Sequence, residues 1–303
     1  MSVKIFIDGQ AGTTGLGIAQ RLGALAAVSL VTLDEAHRKD EAARADAMAR
    51  ADLTVLCLPD DAARAAVALA PAGTRILDAS TAHRTAPGWV YGFAEMAPGQ
   101  AQRIAAAQHV ANPGCYATGA IALLRPLTAL GLLPAGMNLS INAVSGYSGG
   151  GKALIAAHEA QGGPPFELYA LGLGHKHLPE IVEYTRLARR PLFVPSVGHF
   201  AQGMLVCVPL FLDQLAGRPQ AASLVQAYAD YYAGTAHVAV HPDVWSQNLQ
   251  PEALNGTDGL EIFVSANEAQ GQAVLIARLD NLGKGASGAA VQNIRLMLGE
   301  EHV

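Results

Sequence analysis

A chain of 303 residues, 51% of them hydrophobic and 15% charged, is long enough for a large core and two domains. The net charge is −5 and no Lys/Arg block stands out, which argues against a nucleic-acid partner, because such a partner requires a basic face. The three cysteines, Cys57, Cys115 and Cys207, are odd in number, far apart and without a CxxC pair, so neither a disulfide framework nor a metal centre is expected. The opening "MSVKIFIDGQAG" lacks the long apolar region of a signal peptide, and no stretch has the apolar length of a membrane span. A cytoplasmic chain without a membrane partner is therefore expected.

The first third alternates strands and helices. "VKIFIDG" is a short apolar run ending at glycine and reads as a buried parallel strand. "TTGLGIAQRLGAL" follows as a helix, "VSLVTL" as a second strand, and "RKDEAARADAMARA" has helical composition. "DLTVLCLPDD" is a third strand, "DDAARAAVALAPAG" a helix closed by Pro-Ala-Gly, and "TRILDAS" a fourth strand. Such alternation predicts βαβ units, a parallel sheet and right-handed crossovers.

The pattern changes after Cys115. "MNLSINAVSG", "GMLVCVPLFL", "GLEIFVSAN" and "QAVLIARLDN" are longer and richer in branched residues, with "EAQG" as a hairpin turn between the last two. This predicts an α+β segment with a mixed or antiparallel sheet. The closing "GASGAAVQNIRLMLGEE" reads as a helix with a small-residue face, expected to return to the first domain.

"DGQAGTTG" places Gly9, Gly12 and Gly15 between the first strand and the first helix. Glycines there permit a tight turn and close approach of a pyrophosphate to the helix N-terminus. The spacing is G-x-x-G-x-x-G rather than G-x-G-x-x-G, so the reading rests on context, against a plain strand–helix turn. Asp34, placed at the end of the second strand, suits the ribose hydroxyls of NAD, whereas Arg38 and Lys39 suit a 2′-phosphate; the residues leave both open. "GYSGGGKA", residues 146 to 153, almost spells a P-loop, but Ala153 stands where Ser or Thr would hold magnesium. A phosphotransferase is the alternative from a different class, and Lys152 with its glycines would still make an anion cradle.

In "HVANPGCYATGA" the chain turns at Pro113 and Gly114, and "CYATGAIALL" then reads as a helix. Cys115 thus lies at or near a helix N-terminus, where the positive end of the dipole favours a thiolate able to attack an acyl group. Cys57 and Cys207 sit inside apolar strands and read as packing. "GLGHKHLPEI" offers His175 and His177, whose rings would face opposite ways if the segment were extended.

The set "DGQAGTTG", "DASTAHR", "ANPGCYATG", "SGYSGGGK", "GHKHLPEI" and "NLGKGASGAAVQN" resembles the N-acetyl-gamma-glutamyl-phosphate reductase family, in its shorter, type 2 branch, over nearly the whole chain. "NPGCYATG" and "HKHLPEI" are the specific pieces. The glycine loop and "NLGKGASGAAVQN" are shared more loosely with aspartate-semialdehyde dehydrogenases and other acyl-phosphate reductases. The reading is therefore α/β: an N-terminal Rossmann-like dinucleotide-binding domain, residues 1–114 and 286–303, plus an α+β catalytic and oligomerisation domain, residues 115–285.

The resemblance implies NADPH-dependent reduction of N-acetyl-L-glutamyl 5-phosphate to N-acetyl-L-glutamate 5-semialdehyde and phosphate, in arginine biosynthesis. Cys115 would be the nucleophile, forming a thioester, and His177 the general acid/base. Gly9, Gly12, Thr13, Thr14, Gly15, Arg38, Ser80, Asn281, Lys284 and Gly285 would serve NADP(H). Arg84, Asn112, Ser145, Gly146, Lys152 and His175 would serve the substrate. Longer members carry an acid and phenylalanine before the arginine of "DASTAHR", where this chain has Ala82 and His83. NADP over NAD follows from the family, as does a homodimer or homotetramer. The rivals within the same chemistry are reduction of aspartyl phosphate or aminoadipyl phosphate. An NADP-sensing protein would keep the glycine loop and have no use for Cys115.

Overall fold

The structure is a computed structural model and describes residues 2–299. The chain divides into two compact units, Met1–Pro113 with Ala286–Val303, and Gly114–Gly285. Gly114, expected at the end of the first domain, falls in the second unit.

In the first unit the alternating runs form β1 (Val3–Asp8), α1 (Thr13–Gly23), β2 (Val28–Val31), α2 (Glu41–Arg50), β3 (Leu53–Leu56), α3 (Asp60–Leu69) and β4 (Ile76–Asp78). A stretch with weaker patterning adds β5 (Val90–Tyr91), α4 (Gln100–Ala106) and β6 (His109–Ala111). Among the described residues the sheet runs β2-β1-β3-β4-β6-β5, every neighbouring pair parallel. Strand alternation sends Ile5 and Ile7 to one face and Phe6 to the other, and helices cover both. Each such fully buried aliphatic side chain contributes about 1.5–3 kcal/mol. The order reverses at β1, flanked by β2 and β3. Ligands of open parallel sheets bind beyond the carboxyl ends of strands at such a point.

Two expectations shift here. Strand β2 stops at Val31, so Asp34 lies in the following turn and not at a strand end. Its carboxylate accepts the His37 N–H (2.9 Å) and meets the His37 ring (2.7 Å). Helix α2 starts only at Glu41, because Asp40 caps it by accepting the Ala43 N–H at 2.7 Å. Arg38 therefore precedes the helix and pairs with Glu35 at 3.0 Å on an exposed turn.

The second unit begins with α5 (Cys115–Ala129), followed by β7 (Ser140–Gly146), α6 (Gly151–Gln161), β8 (Phe166–Leu168), α7 (Leu178–Thr185), β9 (Leu192–Gly198), β10 (Met204–Phe211), α8 (Ala221–Tyr231), β11 (Val238–Val240), β12 (Leu260–Asn267) and β13 (Gln272–Leu279). Its mixed sheet has the order β11-β12-β13-β10-β7-β9-β8. Strands β12 and β13 pair antiparallel up to Asn267 and Gln272, and the chain reverses through a 3₁₀ turn and Gly271 at φ +61°. Helices α5 and α8 pack on one face, against Val206, Val208, Ile262, Leu275 and Leu279. Gly119 makes this possible for α5, since a Cβ there would come within 2.7 Å of Val206.

The chain ends in α9 (Gly288–Leu298), in the first unit, where Ala290, Ile294 and Met297 join Ile18, Leu22 and Ile104. The helix expected from residue 285 is preceded by a π turn over Gly283–Ser287, and its expected last residues, 300–301, lie outside the described ones. Among the described residues no helix is long and apolar enough to cross a membrane.

Candidate active site

The glycine loop follows β1 at the switch point. Gly9 has φ +87°, and a Cβ there would meet the Cys57 carbonyl oxygen at 2.4 Å; one at Gly15 would meet Gln10 and Gly9 backbone at 2.8 Å. These two glycines make the turn. Gly12 is different: nothing lies within 3.6 Å of its missing Cβ, and it begins α1 with no side-chain cap. The helical ladder starts with Leu16 N–H to Gly12 O, so the amides of Thr13 and Thr14 stand outside it, as an anion site at a helix start requires. The loop fits a dinucleotide phosphate. Asp8, just before it, is held by Arg44 through two bonds to Oδ2, at 3.0 and 2.7 Å.

Still in the first unit, β4 ends at Asp78, whose carboxylate organises the next turn. It accepts the Ser80 N–H (2.9 Å) and hydroxyl (2.7 Å) and lies 2.6 Å from His83 Nδ1. Arg84 is buried and donates from Nε to the Asn112 carbonyl at 3.0 Å. Asn112 takes its path from internal bonds: its N–H donates to Asp78 O (2.7 Å), and its side chain donates to Ala286 O (3.1 Å) and accepts from Asn293 (3.0 Å). It directs the chain entering Pro113 and Gly114.

In the second unit Cys115 is the first residue of α5. The ladder begins at Thr118 N–H to Gly114 O (2.9 Å), so the amides of residues 115–117 stand outside it and their positive end faces the thiol region. The buried Glu180 carboxylate accepts the Gly114 N–H at 3.1 Å and tethers α7 to the start of α5. Gly285 closes another side, since a Cβ there would fall 2.9 Å from Cys115 Cβ. Burial, with the Asp78 and Asp8 carboxylates nearby, pushes the Cys57 thiol up to about 12, and burial raises Cys207 as well. Brief iodoacetamide treatment at neutral pH is therefore expected to label Cys115 first, because the thiolate is the nucleophile. Peptide mass spectrometry showing Cys57 or Cys207 labelled equally fast would refute this.

The two histidines are not on opposite faces of an extended segment. The chain turns into α7 at His177, and the two rings meet edge to face with centroids 4.7 Å apart. Both contact Tyr116, at 5.8 and 6.0 Å. His175 Nδ1 accepts the His177 backbone N–H (3.1 Å), and its Nε2 lies 3.3 Å from the Tyr169 hydroxyl. His177 itself is buried. Tyr116 and Tyr169 were not singled out by sequence, since an aromatic after Cys115 and another in an exposed loop carry no motif. Burial raises the Tyr116 phenol far above its ordinary value, and burial, with Cys115 nearby, takes Tyr169 up to about 12; both stay neutral near pH 7. Only the fold brings Glu180, within "HKHLPEI", to the Gly114 N–H.

The remaining expected residues of the second unit are held by local contacts or stand exposed. Asn281 is buried, donates to Ser148 Oγ (2.9 Å) and accepts the Gly203 N–H (2.7 Å), so it joins two loops. Lys284 is almost fully buried. Ser145 Oγ donates to the Gly146 carbonyl at 3.1 Å, and Gly146 packs on Ala201 backbone, where a Cβ would sit 2.6 Å away. Lys152 is exposed in the first turn of α6. The P-loop near miss resolves into a 3₁₀ turn over Tyr147–Gly150, after a strand that is antiparallel to one neighbour. Among the described residues no group of three or more His, Cys, Asp or Glu is placed to hold a metal ion.

Comparison with known proteins agrees with this geometry. Residues 115–281 match the family described as semialdehyde dehydrogenase, dimerisation domain. Curated proteins named N-acetyl-gamma-glutamyl-phosphate reductase from Brucella ovis and Brucella canis are each 53% identical over 310 residues, covering 99% of this chain and 100% of theirs. In fold the chain is similar to aspartate semialdehyde dehydrogenase II from Vibrio cholerae (TM-score 0.70, 16% identity, 98% of this chain and 99% of that one). It is also similar to the Candida albicans aspartate semialdehyde dehydrogenase solved with NADP (TM-score 0.67, 14% identity, all of both chains). At 53% identity over the whole length of these relatives, the chain belongs to the N-acetyl-gamma-glutamyl-phosphate reductase family of semialdehyde dehydrogenase-type oxidoreductases.

Proposed function

We propose that this protein reduces N-acetyl-L-glutamyl 5-phosphate to N-acetyl-L-glutamate 5-semialdehyde and phosphate, with NADPH, in arginine biosynthesis. The observation that carries it is Cys115 at the start of α5, next to Tyr116, whose ring packs on His175 and His177, in a chain 53% identical to reductases of that name. The Cys115 thiolate attacks the acyl carbon, and amides at the start of α5 hold the oxyanion. Phosphate leaves and a thioester remains on Cys115. Gly9, Gly12 and Gly15 would hold the phosphates of NADPH, which when bound would supply the hydride that reduces the thioester. His177 gives a proton to the oxygen and takes it back as the C–S bond breaks, releasing the aldehyde and restoring the thiolate. Arg84 and Lys152 hold the substrate's anionic groups. Phosphate departure removes negative charge from the carbon that then receives hydride.

The reverse reaction tests this. N-acetylglutamate semialdehyde, phosphate and NADP should give phosphate-dependent absorbance of the reduced cofactor, abolished by prior alkylation. Activity with aspartate semialdehyde instead would move the substrate and keep the mechanism. Binding of NADP without turnover would leave a sensor.

The match to a dimerisation domain supports assembly. The face of the mixed sheet away from α5 and α8 favours a homodimer. Across it run Ile276, Cys207, Asn142 and Val194 in one register row, with Leu205, Val144, Pro209, Val274 and the half-exposed Phe211 beside them, while Phe263 at the end of that row is already covered by His241, Trp245 and Arg278. An apolar sheet face of this size is normally covered. Ile276→Lys together with Leu205→Lys is expected to halve the mass measured by light scattering; an unchanged mass would place the contact elsewhere. A reactive cysteine also suits the reducing cytoplasm.

A further inference from the structure

We infer that His83 is a positioning residue that sets Arg84 for the anionic end of the acyl phosphate, an inference resting on the proposed substrate role of Arg84.

The ring is fixed on an edge and on a face. On its edge, Nδ1 lies 2.6 Å from Asp78 Oδ2. That oxygen also accepts the Ser80 hydroxyl, and a carboxylate only accepts, so the proton is on His83 Nδ1 and the tautomer is defined. On its face, the Trp89 indole stacks at 4.2 Å with planes 13° apart, and His109 backs the indole at 4.8 Å. Asp78 is completely buried and His83 nearly so.

The rest of the turn is held independently. Thr81 N–H donates to Asp60 (3.0 Å), Arg64 donates to the Ala82 carbonyl (3.2 Å), and Ser80 Oγ accepts the Ala82 N–H (3.1 Å). His83 is therefore the last fixed point before Arg84, whose Nε reaches the Asn112 carbonyl (3.0 Å) and whose Nη2 lies 3.4 Å from the Ala79 carbonyl. Loss of the ring would release the backbone of Arg84 while leaving Asp78 and Ser80 to each other. The guanidinium would keep its charge and lose its direction. For a group that binds a planar or tetrahedral anion by a rigid fork, direction carries most of the affinity.

The test is a double-mutant cycle on the full-length enzyme, run in the reverse direction with inorganic phosphate as the varied substrate. Arg84→Ala is expected to raise KM for phosphate about 30-fold, and His83→Ala about tenfold, with kcat within about threefold of the wild type. The double variant is expected to be no worse than Arg84→Ala, because residues acting through one another are not additive. His83→Asn keeps a donor near Nδ1 and is expected to restore KM to within about threefold; it also serves if His83→Ala fails to fold. An unchanged KM in Arg84→Ala would remove the reading beneath the inference. A raised KM in Arg84→Ala with an unchanged one in His83→Ala would overturn the inference alone. Additive losses, or an Asn variant as poor as the Ala variant, would make His83 a packing residue.

Discussion

Cys115→Ala is expected to lower kcat/KM by about 100,000-fold, while NADPH titration by fluorescence gives an affinity within about threefold of the wild type. The size follows from the role: without sulfur there is no thioester, and no second nucleophile stands at the start of α5. Cys57 cannot replace it, since burial and the Asp78 and Asp8 carboxylates push its thiol up to about 12. The glycine loop proposed to hold the dinucleotide phosphates is left unchanged by the substitution, so the affinity is expected to be kept. The fold tolerates the change, because Cys115 occupies the first position of its helix and an alanine there satisfies the same backbone geometry. Residual turnover within a hundredfold of the wild type would show that acyl transfer does not pass through this residue. Loss of both turnover and NADPH binding would point to misfolding.

The second large effect is at His177. His177→Asn is expected to lower kcat by about 100- to 1,000-fold, and His175→Asn by no more than about tenfold. The resemblance gives the acid/base role to His177, and the two rings have different surroundings. Nδ1 of His175 accepts a backbone N–H and its Nε2 faces the Tyr169 hydroxyl, so both nitrogens are committed to holding the turn. His177 is the buried partner against Tyr116, at the start of the helix whose Glu180 binds Gly114. Its removal should flatten one limb of the pH–rate profile, whereas His175→Asn should preserve both limbs at reduced height. Equal losses and equal profiles would make the pair a single unit, and a larger loss at His175 would reverse the assignment.

Much of this arrangement was legible in the order of residues. Short apolar runs ending in glycine announced β1 and its loop, because a buried parallel strand needs branched apolar residues and the turn after it needs φ > 0 at Gly9. Pro-Gly before Cys115 announced a helix start, and the fold places the cysteine at its first residue. These are local properties: backbone freedom, side-chain alternation and helix capping act within a few residues of one another.

What the order of residues could not supply was contact between distant segments. Asp34 looked like a strand-end acid because "VSLVTL" is apolar throughout, yet the strand stops at Val31 and the acid turns to His37. Nor did the sequence show that both ends of the Asn281 amide are drawn to Ser148 and Gly203, many residues away. Tyr169 and Glu180 carried no signal until folding set them against His175 and Gly114. Sequence by itself determined where strands, turns and the nucleophilic helix start, since those follow from short-range sterics and patterning. Only tertiary structure decided that both ring nitrogens of His175 are drawn to the His177 N–H and the Tyr169 hydroxyl, since such hydrogen bonds join groups that the chain brings together only by folding.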